Sequence, residues 1–530
     1  MTDEERRIRV ESFIRRGCRT DDYIQKTVKY LHTLNYSFAA PLILANATSK
    51  ASELVRNHII LTGEDTLALD ASHQKLLPTF FQRLKTCISN LSMLAENLRY
   101  VQSAENDRMP WSMADELIST IGKLLPDEYS STDVVYLLRP QWHYNYSVKH
   151  KDLREYYFIK LKSIFPIKEV GEKKVNEAIK DMNKKFIVIT FPASERMNTM
   201  NHVILGHEIG HIVTDYLLSQ PHPDDTNTKF STYYMNKIKK LFPEVKASNA
   251  LEDNNEEPEI VIDTFKAWKY AFSEYISDYV ATRLWGLSFA TATLSHSYIT
   301  NETTKLKNIE GHPTWDSRLH IISKAIEDMK LPLDSLLNKI NETFATLGND
   351  TYDPYIKTYF KDEDGKLDLD SQKIIKLINF ITSSFAYDKY NFEPVIVETL
   401  QKDQIEAIQT AYKLFPESVD KAITVLESLE AVKKEFVTFE TLNKQLPNAL
   451  IALAMHIPPI SKNVIIENNI DRKNNPSFDP PTIFFALWIL NECSNKNYLV
   501  KEEFMKNLNR LGLWSFHANH LYENFLNTKS

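Results

Sequence analysis

Asn201-His-Val-Ile-Leu-Gly-His-Glu-Ile-Gly-His-Ile-Val-Thr-Asp215 is the stretch around which the rest of the chain is organised. Val203, Ile204, Leu205, Ile209, Ile212 and Val213 are apolar on nearly every side of a helical repeat, the pattern of a buried helix. On that helix His207 and His211 stand four residues apart, so both imidazoles leave one face and can share a metal ion. Glu208 follows the first histidine, where its carboxylate can reach a water held by that metal. Polar groups of this kind are costly among apolar side chains unless something pairs with them. Zinc is the expected partner. Composition alone would produce about 0.03 matches to His-Glu-x-x-His in a chain of this make-up, so the pattern carries weight.

With only 11 glycines in 530 residues, positions for glycine-dependent tight turns are few. That favours helices joined by polar loops over a many-stranded sheet. Hydrophobic residues make up 43% and charged residues 25%, the balance of an ordinary globular chain rather than a disordered one. A net charge of -7 gives no basic footprint, so no nucleic-acid partner is expected. The early arginines Arg6, Arg7, Arg9, Arg15, Arg16 and Arg19 are interleaved with acids and read as a solvated helix face. Cys18, Cys87 and Cys493 are too scattered to suggest a disulfide framework or a metal knuckle. The sequence shows neither a signal-peptide core nor a run of membrane-spanning length, which leads us to expect a cytoplasmic protein without a membrane span.

Taken in order, residues 1–130 read as helices. Phe80, Phe81, Leu84, Cys87, Ile88, Leu91, Leu94, Leu98 and Val101 form the clearest stripe, entered through Pro78. Around 133–148 the period changes to two, with Trp142, Tyr144, Tyr146 and Val148, and predicts a hairpin or strand pair. Phe186-Ile-Val-Ile-Thr-Phe191 is a second strand candidate, after which Ser194 is placed to cap the metal-binding helix. Residues 219–262 loosen into a polar, acidic insertion with a short helical piece near Tyr233 to Phe242. Helix resumes near Asp263 and runs to Trp285, with Gly286 as its cap. Beyond 330 the chain returns to helices, and Asp362, Asp364 and Asp368 read as a polar turn rather than a calcium loop.

A catalytic zinc takes three protein ligands and keeps a position open for water. The third ligand must come from outside the helix, and Glu274 in Phe272-Ser-Glu-Tyr-Ile-Ser-Asp-Tyr279 is the candidate. Asp278 is one turn further along, so one face can offer a carboxylate to the metal and another to an imidazole ligand. His202, also on the motif stretch, points away from that face and reads as structural.

A third signature follows in Gly311-His-Pro-Thr-Trp-Asp-Ser-Arg-Leu319. His207-Glu-Ile-Gly-His211, then Glu274-x-x-x-Asp278, then His312-Pro-x-x-x-x-Arg318 resembles the gluzincin metallopeptidases that include CAAX prenyl proteases and heat-shock membrane proteases. The resemblance covers about residues 186–325, and the motifs come in that family's order. It implies zinc on His207, His211 and Glu274, with Glu208 as general base and proton shuttle. It further implies that Asp278 pairs with Arg318 behind the metal and that His312 stabilises the oxyanion of the tetrahedral intermediate. The membrane-spanning helices of those enzymes have no counterpart in this sequence.

The expectation is therefore a predominantly α protein with a zincin-like α+β catalytic domain built on a small sheet. Its domains are a helical domain over 1–130, a metallopeptidase domain over 131–330 and a helical domain over 331–530. The expected activity is zinc-dependent hydrolysis of peptide bonds in a peptide or protein substrate. The alternative is a helical scaffold in which the zinc site is structural or latent.

Overall fold

The computed structural model describes residues 2–34, 40–103, 119–125, 134–141, 147–151, 153–165, 168–182, 185–192, 199–242, 259–300, 313–356, 358–389, 392, 402–455, 478–495 and 511. The chain is predominantly helical and divides into two compact units. One is Met1–Trp111 with Asp127–Arg196, and the other is Ser112–Pro126 with Met197–Ser530.

In the first unit, α1 (Asp3–Leu31), α2 (Ala40–Leu67) and α3 (Leu77–Ser103) pack pairwise on one another. Thr2 opens α1 with a capping box, its hydroxyl accepting from the Glu5 N–H while the Glu5 carboxylate accepts from its own. Ser52 donates to Asp21 at 2.6 Å and Gln25 donates to the Ser49 carbonyl at 3.0 Å, so α1 and α2 run antiparallel. The stripe expected on α3 is buried at Leu84, Cys87, Ile88, Leu91, Leu94, Leu98 and Val101.

The same unit continues through β1 (Val134–Gln141), β2 (Ser147–Lys151), α4 (Leu153–Lys162), α5 (Lys168–Ala178) and β3 (Lys185–Pro192). The strands form one sheet in the order β1-β3-β2. Leu137 on β1 lies opposite Val188 in a parallel pair, and Val148 on β2 lies opposite Ile189 in an antiparallel pair. This corrects the expected hairpin, since the two strands of the 133–148 region both pair with β3 and not with each other. Ile187, Val188 and Ile189 are consecutive and all buried. A strand covered on both faces takes the centre of a sheet. Trp142, Tyr144, Tyr146 and Ser194 lie outside the described residues.

Val135, Leu137 and Val188 share a single apolar core with side chains of α1, α2 and α3. For that reason the sheet belongs with the N-terminal helices in the first unit. The sheet expected within the catalytic domain is thus in a different unit from the His-Glu-x-x-His helix.

The longer segment of the second unit begins with α6 (Thr199–His202) and α7 (Leu205–Ser219), separated by a short break. It continues with the two-stranded β4 (Pro221–His222) and β5 (Asp225–Lys229), then α8 (Phe230–Lys240), the helix expected inside the insertion. Its centre is α9 (Glu259–Trp285), in which every residue from Glu274 to Trp285 is buried. Enclosure on all sides is the mark of a helix at the middle of a large core. As expected, Gly286 ends it at φ +63°, and its N–H bonds the Thr282 carbonyl at 2.7 Å. After α10 (Leu287–Thr300) come α11 (Trp315–Asp328), α12 (Leu333–Leu347), α13 (Gln372–Ser384), α14 (Lys402–Tyr412), α15 (Phe415–Ser428), α16 (Glu430–Glu435), α17 (Phe439–Ala454) and α18 (Pro480–Cys493). Helices α14, α15 and α18 pack on α9. The 361–366 stretch is the polar turn that was expected, closed by the Lys366 N–H on the Asp362 carboxylate at 2.8 Å.

The contact between α7 and α9 positions the site. A Cβ on Gly210 would stand 2.5 Å from the Ser277 Cα and 2.6 Å from its carbonyl oxygen, and one on Gly206 would stand 2.1 Å from the Trp285 Nε1. Glycine at 210 lets the two helix backbones approach so closely, and glycine at 206 leaves room for the Trp285 indole. Gly210→Ala is expected to destabilise the protein by about 1–3 kcal/mol through overpacking, because the added methyl meets backbone that cannot swing aside. Denaturant unfolding checks this, and a wild-type midpoint would mean that the helices can part without cost.

Candidate metal centre

Helix α7 delivers His207, Glu208 and His211, whose candidate ligand atoms all lie within 4.8 Å of one another, enough for this group to hold a metal ion. The close approach of α9 brings Glu274 to the same place. Its Oε2 is 3.2 Å from the His207 Nε2, and its Oε1 is 3.4 Å from the His211 Nε2. Two ligands bound tetrahedrally at zinc distances stand about 3.3 Å apart. The two separations from Glu274 are therefore those of neighbouring donors in such a shell, with the Nε2 atoms and a carboxylate turned toward one another.

The opposite edge of each imidazole is also engaged. His207 Nδ1 lies 2.8 Å from Asp278 Oδ1. Because a carboxylate only accepts, this contact places a proton on Nδ1 and leaves Nε2 to face Glu274. Arg318, on α11, grips the same carboxylate with two bonds, Nε to Oδ2 at 2.7 Å and Nη2 to Oδ1 at 2.9 Å. A bidentate pair of this kind fixes the carboxylate in orientation as well as in charge. Arg318 Nη1 also comes to 3.6 Å from Glu274 Oε2, so one guanidinium spans Glu274 and Asp278. His211 Nδ1 lies 2.9 Å from the Ser273 Oγ and 3.0 Å from the Ser277 Oγ.

Charge in this cluster is unevenly matched. Glu274, Asp278 and Arg318 are all buried, so two carboxylates share one permanent cation. Burial by itself would push each carboxyl pKa up, yet His207 and His211 hold Glu274 well below the usual carboxylate range and Arg318 and His207 hold Asp278 below it. Burial works against charge on His207, but Asp278 and Glu274 outweigh it and raise that imidazole from 6.5 to about 10. Without a metal, a proton on His207 supplies the missing positive charge. A cation seated between the two Nε2 atoms and Glu274 would supply it instead, and this demand, together with the donor set, fits a divalent metal.

The His207 side chain is 7% exposed and that of Glu274 8%, whereas that of His211 is 27% exposed. The cluster therefore opens on the His211 side, and Glu208 is likewise only partly buried. His312 lies outside the described residues. His202 is buried away in the core, as its position on the stretch suggested. Ser273 and Ser277 were not among the residues singled out as functional, although their one-turn spacing, each just before a candidate acid, was visible in the sequence. Among the described residues no helix is long and apolar enough to cross a membrane. No family model, curated protein or solved structure matches the chain.

A pH dependence follows for the metal-free protein. Below the unfolded value of 6.5, His207 is protonated in both states and its contribution is complete; between 6.5 and about 10 only the folded state holds the proton. Stability should therefore fall as pH rises through that window. Unfolding midpoints of metal-stripped protein at pH 6.5 and 9.5 test this against His207→Gln, and equal slopes for the two proteins would refute it.

Proposed function

We propose that the chain is a zinc-dependent metallopeptidase that hydrolyses peptide bonds in a peptide or protein substrate. The observation carrying this reading is the convergence of His207 Nε2 and His211 Nε2 on the Glu274 carboxylate, with the Asp278–Arg318 pair behind His207. The order of the three sequence signatures, which resembles that of the gluzincins, supports it. His207, His211 and Glu274 would hold zinc, which supplies Lewis acidity toward a carbonyl and a water acidic enough to attack at neutral pH.

The remaining chemistry falls to the chain's own groups. Glu208, next to the first ligand and on the open side of the cluster, takes the proton from the attacking water and returns it to the departing amine. Asp278 holds the His207 ring so that its Nε2 stays turned toward Glu274, and Arg318 keeps Asp278 in place. His312, which the resemblance assigns to the oxyanion, would donate to the charge that develops on the carbonyl oxygen. The absence of a spanning helix among the described residues is compatible with a substrate met in solution.

Glu208→Gln should retain stoichiometric zinc while losing hydrolysis by at least about 100-fold, the scale of a lost general base. Proteome-wide cleavage profiling of wild type against this variant reads the loss and reveals the substrates together. Wild-type cleavage by Glu208→Gln would overturn the mechanism, and zinc in a wild type that cleaves nothing would favour the scaffold. Glu274→Ala is expected to lose zinc on dialysis, and a full complement by metal analysis would remove Glu274 from the ligand set.

A further inference from the structure

The two imidazoles of the cluster are held from behind by different chemistry. His207 has a carboxylate, Asp278, itself locked by Arg318. His211 has two hydroxyls, at 2.9 Å from Ser273 and 3.0 Å from Ser277. These serines are one helical turn apart on α9, each immediately before an acid, so adjacent stripes of a single helix address the two histidines. Ser277 is fully buried and Ser273 is partly exposed.

From this we infer that Ser273 and Ser277 are a redundant pair of positioning residues that orient His211 toward the metal without adding charge. The inference rests on reading His207, His211 and Glu274 as ligands and extends it to residues no motif marks. With Nε2 turned toward Glu274 and a metal, Nδ1 carries the ring proton, and a serine hydroxyl can accept a hydrogen bond from it and hold the ring in place. A second carboxylate here would deepen the excess of buried negative charge already present at Glu274 and Asp278. Two serines at i and i+4 both stand within hydrogen-bond distance of the same Nδ1, so loss of one leaves the other in reach. Close packing supports the arrangement, because Gly210 against the Ser277 backbone is what puts the hydroxyl beside a histidine one residue further along α7.

The test is zinc affinity of the full chain, measured by competition with a chelator, alongside the visible spectrum of the cobalt-substituted protein. Ser273→Ala and Ser277→Ala should each weaken zinc binding by no more than about threefold, while the double variant should lose about 10–100-fold, the range seen for outer-sphere partners of metal ligands. The cobalt spectrum should change in the double variant and in neither single one. Ser273→Thr in the Ser277→Ala background keeps a hydroxyl and should bind as the wild type does. Thermal unfolding of the metal-free proteins should be alike, which separates orientation of His211 from a general packing defect. Wild-type affinity in the double variant overturns the inference alone. A wild type that takes up no zinc overturns the ligand reading and this inference with it.

Discussion

The site depends on how closely two helices can approach. Gly210 lies against the backbone of Ser277, and Gly206 against the indole of Trp285, leaving no room for a side chain on α7 at either point. That proximity lets residues of α9 reach both edges of the histidines on α7, Glu274 toward the Nε2 atoms and Asp278, Ser273 and Ser277 toward the Nδ1 atoms. A wider separation would leave the same residues on facing helices without joining them. The small residues of the motif stretch are thus as much a part of the site as the polar ones.

Once the helices are that close, the buried charges need a cation. Two carboxylates and one guanidinium lie together out of water, and breaking such a set by removing one member is costly because the remaining charge stays buried. The metal-free protein meets the need with a proton on His207. An ion seated between the Nε2 atoms and Glu274 would replace that proton, and folding, protonation and ion binding would then be linked equilibria of one cluster.

Much of the site was legible because its information is local. The i, i+4 spacing of His207 and His211 required only a helix, and the same spacing picked out Glu274 with Asp278. The structure brings these four together with Arg318. What was not legible depended on partners distant in sequence. Nothing within 133–148 tells β1 and β2 that β3 will come between them; the apolar run of β3 decides it by needing cover on both faces. The grouping of strands with helices has the same character, since Val135, Leu137 and Val188 look like any strand residues until the core of α1, α2 and α3 is seen to contain them. Ser273 and Ser277 passed as ordinary helix residues because a hydroxyl becomes informative only when its acceptor or donor is known.

Helix α9 is enclosed from Glu274 to Trp285, and part of that enclosure comes from α14, α15 and α18, far beyond the last of the three signatures. The residues that look like a peptidase therefore do not amount to a transferable module. A gene fragment cut at the edges of the recognisable motifs would encode every candidate ligand and strip α9 of several of its neighbours, exposing an apolar flank beside the charges it was built to shelter. The C-terminal helices thus bear on the candidate site through the enclosure of α9 rather than through any candidate ligand of their own.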